Sequence, residues 1–352
     1  MEDNMKPIDR IDNLEEEAKD DLQDFVIQVS ASRDFEPIKT GINTIDKAIG
    51  GGLIRKTLVM LGSAPGMGKT ALAQWICENM ARDGHNVLYL NLEMDRAQLL
   101  ARSISRIAYS RLGHDLSVLD IMRAYDMTDE QEKVFDDAIR IYRREISKNF
   151  RYNPEGVTNH IDSIIDCMNE SIRFAKYSDK APIVCIDYLQ LIDSGERDAV
   201  EGMKQVIYKL KSFAKENDTI VFVIMANNRS SNRAGIAELE SGRDTSAIEY
   251  SGDLIFGLTY TAIDDRRQYQ DGTDRNGNPK MFDYDIDTIR RLKKEAFDNG
   301  DDIPRVCQEL SLKVLKNRFV DSERTARLIF DGKHARFTEA INEESEWVSY
   351  SK

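Results

Sequence analysis

Ser63-Ala64-Pro65-Gly66-Met67-Gly68-Lys69-Thr70 is the stretch whose residue types could do chemistry together. It follows an apolar run, Leu58-Val59-Met60-Leu61, and opens a segment, Ala71-Leu72-Ala73-Gln74-Trp75-Ile76, with the composition of a helix. A strand, a glycine-containing loop and a helix N-terminus closed by Gly-Lys-Thr make a phosphate cradle. Backbone N–H groups point at the phosphates from Ser63 to Ala71, Lys69 reaches the outer phosphates, and the Thr70 hydroxyl can sit on Mg²⁺. The glycine usual at the start of this pattern is replaced by Ser63.

Three further sets of residues could complete such a site. Ile183-Val184-Cys185-Ile186-Asp187 is an apolar strand ending in a carboxylate. Asp187 would face the same crevice and hold Mg²⁺ through its water shell. Glu93, in Asn91-Leu92-Glu93-Met94, follows another predicted strand. It reads either as the carboxylate that polarises an attacking water or as a helix-starting residue ahead of Asp95-Arg96. Lys316 and Arg318 end the predicted strand Leu312-Lys313-Val314-Leu315. Two apart, they would project to one side and reach one phosphate group; a solvated basic edge is the other reading.

The elements that position these residues alternate. A short helix before Gly50-Gly51-Gly52 precedes the first core strand, and Asn86–Leu92 is the next strand. A helical stretch over about 95–150 is broken near Gly113 and near Asp126-Met127-Thr128, with Thr128 and Gln131 spaced as a capping box. A helix over about 158–177 leads to the Asp187 strand. Met203, Val206, Ile207, Leu210, Phe213 and Ala214 mark an amphipathic helix, and Thr219–Met225 a fully buried strand. This is an α/β pattern: a mostly parallel sheet covered by helices on both faces.

Residues 1–34 form a charged arm in which Leu14, Ala18, Leu22, Phe25, Val26 and Val29 give one apolar stripe, for its own domain or for a neighbour. The main domain is expected over 35–340, with a tail at 341–352. Segment 262–305 reads as a polar insertion, helical near Asp285–Phe297, with turns at Asp271-Gly272 and Asn276-Gly277-Asn278-Pro279.

Bulk properties narrow the class. The net charge of −13, from 49 Lys and Arg against 62 Asp and Glu, argues against a surface that coats nucleic acid indiscriminately. It leaves open a locally basic channel. The longest apolar run, Ile220–Ala226, is too short to span a membrane, and the N-terminus lacks the pattern of a secretory signal. Cys77, Cys167, Cys185 and Cys307 form no CxxC pair, which fits free thiols in a cytoplasmic protein. The four histidines are scattered too far for a metal centre.

The ordered motifs resemble the C-terminal ATPase domain of DnaB-family replicative helicases, within the RecA-like superfamily of P-loop NTPases. They are Thr40-Gly41…Asp46, Pro65-x-Met67-Gly68-Lys69-Thr70, Leu92-Glu93-Met94 and Ile186-Asp187-Tyr188-Leu189-Gln190-Leu191-Ile192. They continue with Leu210-Lys211-x-Phe213-Ala214-Lys215-Glu216, Ser246-Ala247-Ile248-Glu249 and Lys316-x-Arg318, so the resemblance covers about residues 36–337.

The resemblance implies a ring, expected to be a hexamer, that hydrolyses ATP with Mg²⁺ and moves on single-stranded DNA. It makes Lys69 and Thr70 the phosphate and metal ligands, Glu93 the catalytic carboxylate and Asp187 the second metal ligand. It directs Lys316 and Arg318 at the adjacent subunit's ATP. It puts Arg243-Asp244-Thr245-Ser246 on the DNA backbone and the 12–30 helix in the place of a linker helix that docks on a neighbour. A loader or primase is the implied protein partner. The chain departs from the pattern where Asn227 replaces a γ-phosphate-sensing glutamine, Asp244-Thr245-Ser246 a Glu-Ser-Gly, and Phe319-Val320 an Asn-Gly. The rival expectation is a RecA-like switch or scaffold that binds protein partners and unwinds nothing.

Overall fold

In the computed structural model the described residues are 22–23, 26, 36–175, 180–226, 251–273, 278–320 and 324–340. In chain order the first half comprises α1 (Asn43–Ala48), β1 (Thr57–Ser63), α2 (Lys69–Arg82), β2 (Val87–Asn91) and α3 (Arg96–Ile107). It continues through α4 (Val118–Met122), α5 (Asp129–Glu145), β3 (Phe150–Tyr152), α6 (Ile161–Ala175) and β4 (Ile183–Asp187). The second half holds α7 (Ala199–Glu216), β5 (Ile220–Ala226), β6 (Leu254–Tyr260), α8 (Thr261–Asp264), β7 (Gln268–Thr273) and β8 (Pro279–Asp283). It ends with α9 (Ile286–Asn299), β9 (Glu309–Asn317), β10 (Thr325–Asp331) and β11 (Arg336–Glu339).

Among the described residues, nine strands form one sheet in the order β11-β10-β9-β6-β1-β5-β4-β2-β3. The six from β6 to β3 run parallel, while β9, β10 and β11 extend the sheet antiparallel. Every residue of β1 and β4 is buried. Alternation then sends side chains to two cores. Val59 and Leu61 of β1 join Ile183, Cys185 and Phe222 beneath α2, α3 and α5. Leu58 and Met60 join Val184, Ile186 and Val223 beneath α6 and α7. This is the α/β sheet with helices on both faces that the alternating pattern predicts. All four cysteines are buried as thiols.

The breaks expected in 95–150 are present. A π-turn over Ala108–Leu112 ends at Gly113, whose φ of 75° is left-handed. Thr128 caps α5, accepting from the Gln131 N–H at 3.3 Å while Gln131 Oε1 accepts from the Thr128 N–H at 2.9 Å.

Two features differ from expectation. The chain does not stay helical to residue 150 but forms β3, which pairs with β2. Segment 262–305 holds an antiparallel β7–β8 hairpin besides α9, and Asp271-Gly272 lies inside β7 at a register shift, as a bulge in place of a turn. Of the arm, only Leu22, Gln23 and Val26 are described; they are helical, and Leu22 and Val26 are exposed. No helix among the described residues is long and apolar enough to cross a membrane.

Candidate functional site

β1 runs straight into the loop that the sequence marks as a phosphate cradle. α2 starts at Lys69 with left-handed Gly68 at its N-cap, no capping side chain and no acidic residue in its first turn. Its first N–H groups therefore have no side-chain partner at the cap and carry the positive end of the helix dipole. Gly66 and Gly68 both have φ of 83°, the conformation glycine adopts without cost. Gly68 also backs onto a three-ring stack. Phe330 and Phe337 lie 4.5 Å apart, Phe337 and Trp75 6.3 Å apart, and a Cβ on Gly68 would meet Phe330 Cζ at 2.8 Å.

The departure at Ser63 is absorbed locally. Its buried hydroxyl donates to the Ala64 carbonyl at 2.9 Å. The Thr40…Asp46 motif also acquires a physical role: Asp46 Oδ1 accepts from the Thr40 N–H and hydroxyl, each at 2.8 Å. Asn79 of α2 then donates to the Thr40 carbonyl at 3.1 Å, tying the entry segment to the cradle's helix.

Lys69 Nζ reaches back over the loop, donating to the carbonyls of Ser63 at 3.0 Å and Ala64 at 3.2 Å. Burial lowers its pKa to about 8, against the opposing charges of Asp187 and Glu93. Asp187 closes β4 and is buried. Burial also pushes its carboxyl above the usual range, opposed by hydrogen bonds from Thr70 and from Tyr89, whose hydroxyl donates at 3.1 Å. A buried carboxylate bonded to the Thr70 hydroxyl beside a lysine is a donor set of hard oxygens that suits Mg²⁺.

Glu93 is exposed and lies in the bend after β2. Asn91 shapes that bend by bonding both backbone groups of Met94, one of them the N–H at 3.0 Å. The helix-starting reading of Glu93 fails, because Asp95 caps α3 by accepting from the Ala97 N–H at 2.8 Å. Glu93 instead lines a cavity of about 320 Å³ together with Pro65, Gly66, Gly68, Lys69, Thr70, Asp187, Tyr188 and Ala226. A second cavity of similar volume, lined by Arg55, His85 and Lys180, holds no part of this constellation, and its Arg55 and Lys180 pair with Asp218 and Asp83.

Arg102 of α3 lines the first cavity as well, its charge facing Asp187, Glu93 and Tyr89. No motif in the sequence marks it: Arg102 lies three residues after buried Leu99 and four before buried Arg106, and is itself half-buried. Behind it, Glu78 of α2 holds α3 through Ser103 and through Arg106 Nη2 at 2.5 Å. Gln190, in the Asp-Tyr-Leu-Gln-Leu string, clamps the end of β5 by bonding both backbone groups of Ala226, at 2.9 and 3.1 Å. Asn227 and the loop Arg243-Asp244-Thr245-Ser246 lie outside the described residues.

Lys316 and Arg318 are not at this crevice. Val59 pairs with Leu254 and Leu254 with Asn317, whereas the loop starts four residues further up β1, at Ser63. Strand rise and spacing put about 19 Å between Arg318 and the start of its own phosphate loop, beyond the reach of an arginine side chain.

The chain matches the model of the DnaB-like helicase C terminal domain over residues 37–339. It is 27% identical over 291 residues to the replicative DNA helicase DnaB of Helicobacter pylori strain J99, covering 81% of this chain and 52% of that protein. A shorter match, 39% identical over 69 residues, is to the DNA repair protein RadA of Campylobacter jejuni, 20% of this chain and 16% of the relative. The fold resembles that of a DnaB-like replicative helicase whose structure was solved to describe its interactions with primase. That likeness has a TM-score of 0.63 at 18% identity and covers 97% of this chain and 68% of the other. The chain thus spans about half the length of the curated helicase it matches.

Proposed function

Because this chain belongs to the DnaB-like helicase C-terminal domain family, we propose that it is an ATP-dependent, ring-forming DNA helicase that translocates on single-stranded DNA. The observation that carries the reading is a division of the site. Lys69, Thr70, Asp187, Glu93 and Arg102 converge on one crevice, while Lys316 and Arg318 lie at the opposite ends of the strands. A ring, with six copies as the expected number, would bring the second group of one copy to the first group of the next.

ATP is the substrate this cradle fits. The uncapped first turn of α2 and Lys69 would bind its phosphates. Mg²⁺, held by Thr70 and through water by Asp187, would neutralise charge on the phosphate oxygens. Glu93, exposed at the cavity wall and not engaged as a cap, would orient and polarise the attacking water. Arg102 would hold its charge beside the same oxygens, and Asn227 would sense the terminal phosphate from the strand end that Gln190 fixes. Arg318 and Lys316 would stabilise the charge that grows on the neighbour's transferring phosphoryl group.

Each turnover would then alter an interface between copies, and segment 243–246 of each copy would carry that change to the strand. The 12–30 helix would dock on a neighbour, with 35–340 as the motor domain and a loader or primase as partner.

Measuring ATP turnover with and without a single-stranded oligonucleotide tests this reading. Stimulation that Arg243→Ala abolishes, with basal turnover kept, is the expected result. Hydrolysis indifferent to DNA would overturn it in favour of a nucleotide switch.

A further inference from the structure

The Lys211 stretch stands out in the sequence without a role, and in the fold it meets Arg318 at a single buried carboxylate. Asp253, 4% exposed, immediately precedes β6. Its backbone N–H donates to the Leu58 carbonyl at 3.0 Å, and its Oδ2 accepts from the Leu58 N–H at 3.0 Å. That pairing fixes the carboxylate to the start of β1. Its Oδ1 accepts from Lys211 Nζ of α7 at 2.9 Å and pairs with Arg318 Nε at 3.3 Å. The Arg318 N–H also donates to the Asp253 carbonyl at 3.1 Å. Main chain and side chain of Arg318 are therefore both gripped by one rigid residue.

The grip is at Nε, on the stem side of the guanidinium. A contact there sets the plane of the guanidinium, and the direction of any fork to a phosphate follows from that plane. Lys211 supplies the charge balance. A buried carboxylate whose only cation swung towards a phosphate would be left uncompensated; with Lys211 at 2.9 Å it is not. The Arg318 side chain is 45% exposed, against 6% for Asp253 and 16% for Lys211, so the arginine is the member of the trio that faces outward.

We propose that Asp253, charge-balanced by Lys211, is the positioning residue that aims Arg318 at the nucleotide of a neighbouring copy. This rests on the reading that Arg318 acts in trans, and the two are separable by mixing variants. Asp253→Asn keeps an acceptor for the Leu58 N–H and removes the charge.

The full-length Asp253→Asn assembly should lose about ten- to a hundredfold in kcat with the KM for ATP little changed, the signature of a misplaced transition-state group. Mixed with Lys69→Ala subunits, whose Arg318 and Asp253 are intact, it should regain turnover, as Arg318→Ala subunits should. In the Arg318→Ala background it should cost nothing further. Should Asp253→Asn fail to assemble, judged by melting and by native mass, Asp253→Glu keeps a partner for Lys211 and moves the carboxylate by one methylene; the same rescue is expected. Rescue of Arg318→Ala but not of the Asp253 variant would overturn the proposal and leave the trans reading standing. Rescue of neither, in verified mixed assemblies, would overturn both.

Discussion

Raising the pH from about 7.5 to about 9 should weaken ATP binding about eightfold. Burial lowers the Lys69 pKa from 10.5 to about 8. The unliganded loop therefore loses its ammonium across this range, whereas an ordinary lysine would keep it. A bound phosphate needs the ammonium, so binding must restore the proton. The apparent dissociation constant then scales as one plus the ratio of neutral to charged lysine. That ratio is about 0.3 at the lower pH and about 10 at the upper, which gives the eightfold change, about 1.3 kcal/mol. A lysine at its ordinary value would change the affinity by about 3%. The last proton of the triphosphate leaves mostly below this range, so it adds little slope, and with the opposite sign.

The sign is fixed: a base whose pKa is depressed in the free protein and restored in the complex loses affinity as pH rises. Titration calorimetry in buffers of different ionisation heat would count the protons taken up. About a quarter of a proton is expected at the lower pH and about nine-tenths at the upper. Lys69→Arg, whose guanidinium stays charged, should bind with a flat pH profile. Equal affinity at both ends of the range, with circular dichroism showing the protein folded throughout, would refute the argument that Lys69 is a desolvated phosphate ligand.

Gly68→Ala and Gly66→Ala separate backbone strain from packing. Both positions have φ of 83°, yet a Cβ meets Phe330 at 2.8 Å at Gly68 and nothing within 4 Å at Gly66. Strain of about 1–2 kcal/mol should appear in both, with a further 1–3 kcal/mol or so of overpacking only at Gly68. Equal urea midpoints would remove the aromatic wall from the account. Glu93→Gln should lower kcat by about 10²–10⁴ while ATP still binds, and near-normal turnover would take Glu93 out of the chemistry. Glu78→Ala strands Arg106, 4% exposed, as a buried charge and should cost about 3–5 kcal/mol. A loss under about 1 kcal/mol would show that the pair is not the tie between α2 and α3.

What could be read from the chain alone is what neighbours in sequence decide. The phosphate loop is contiguous, and its strand, glycines and helix start all lie within two dozen residues. Thr128 and Gln131 form their capping box within one helical turn. Buried strands announced themselves by unbroken apolar runs, because both faces of the sheet are covered. The cleft carboxylate Asp187 followed from the same pattern.

Tertiary structure alone decided which distant groups share an environment. Glu93 and Asp95 are two residues apart and both carry carboxylates; only the paths of β2 and α3 make one a cavity wall and the other a helix cap. Arg102 became part of the site because α3 packs on α2, and Asp253 met Arg318 because β6 pairs with β9. Hydrogen-bonding capacity and charge are properties of single residues, but desolvation and distance belong to the packed chain. Composition therefore named the groups able to handle a phosphate, and the sheet order set which of them serve this crevice and which point away from it.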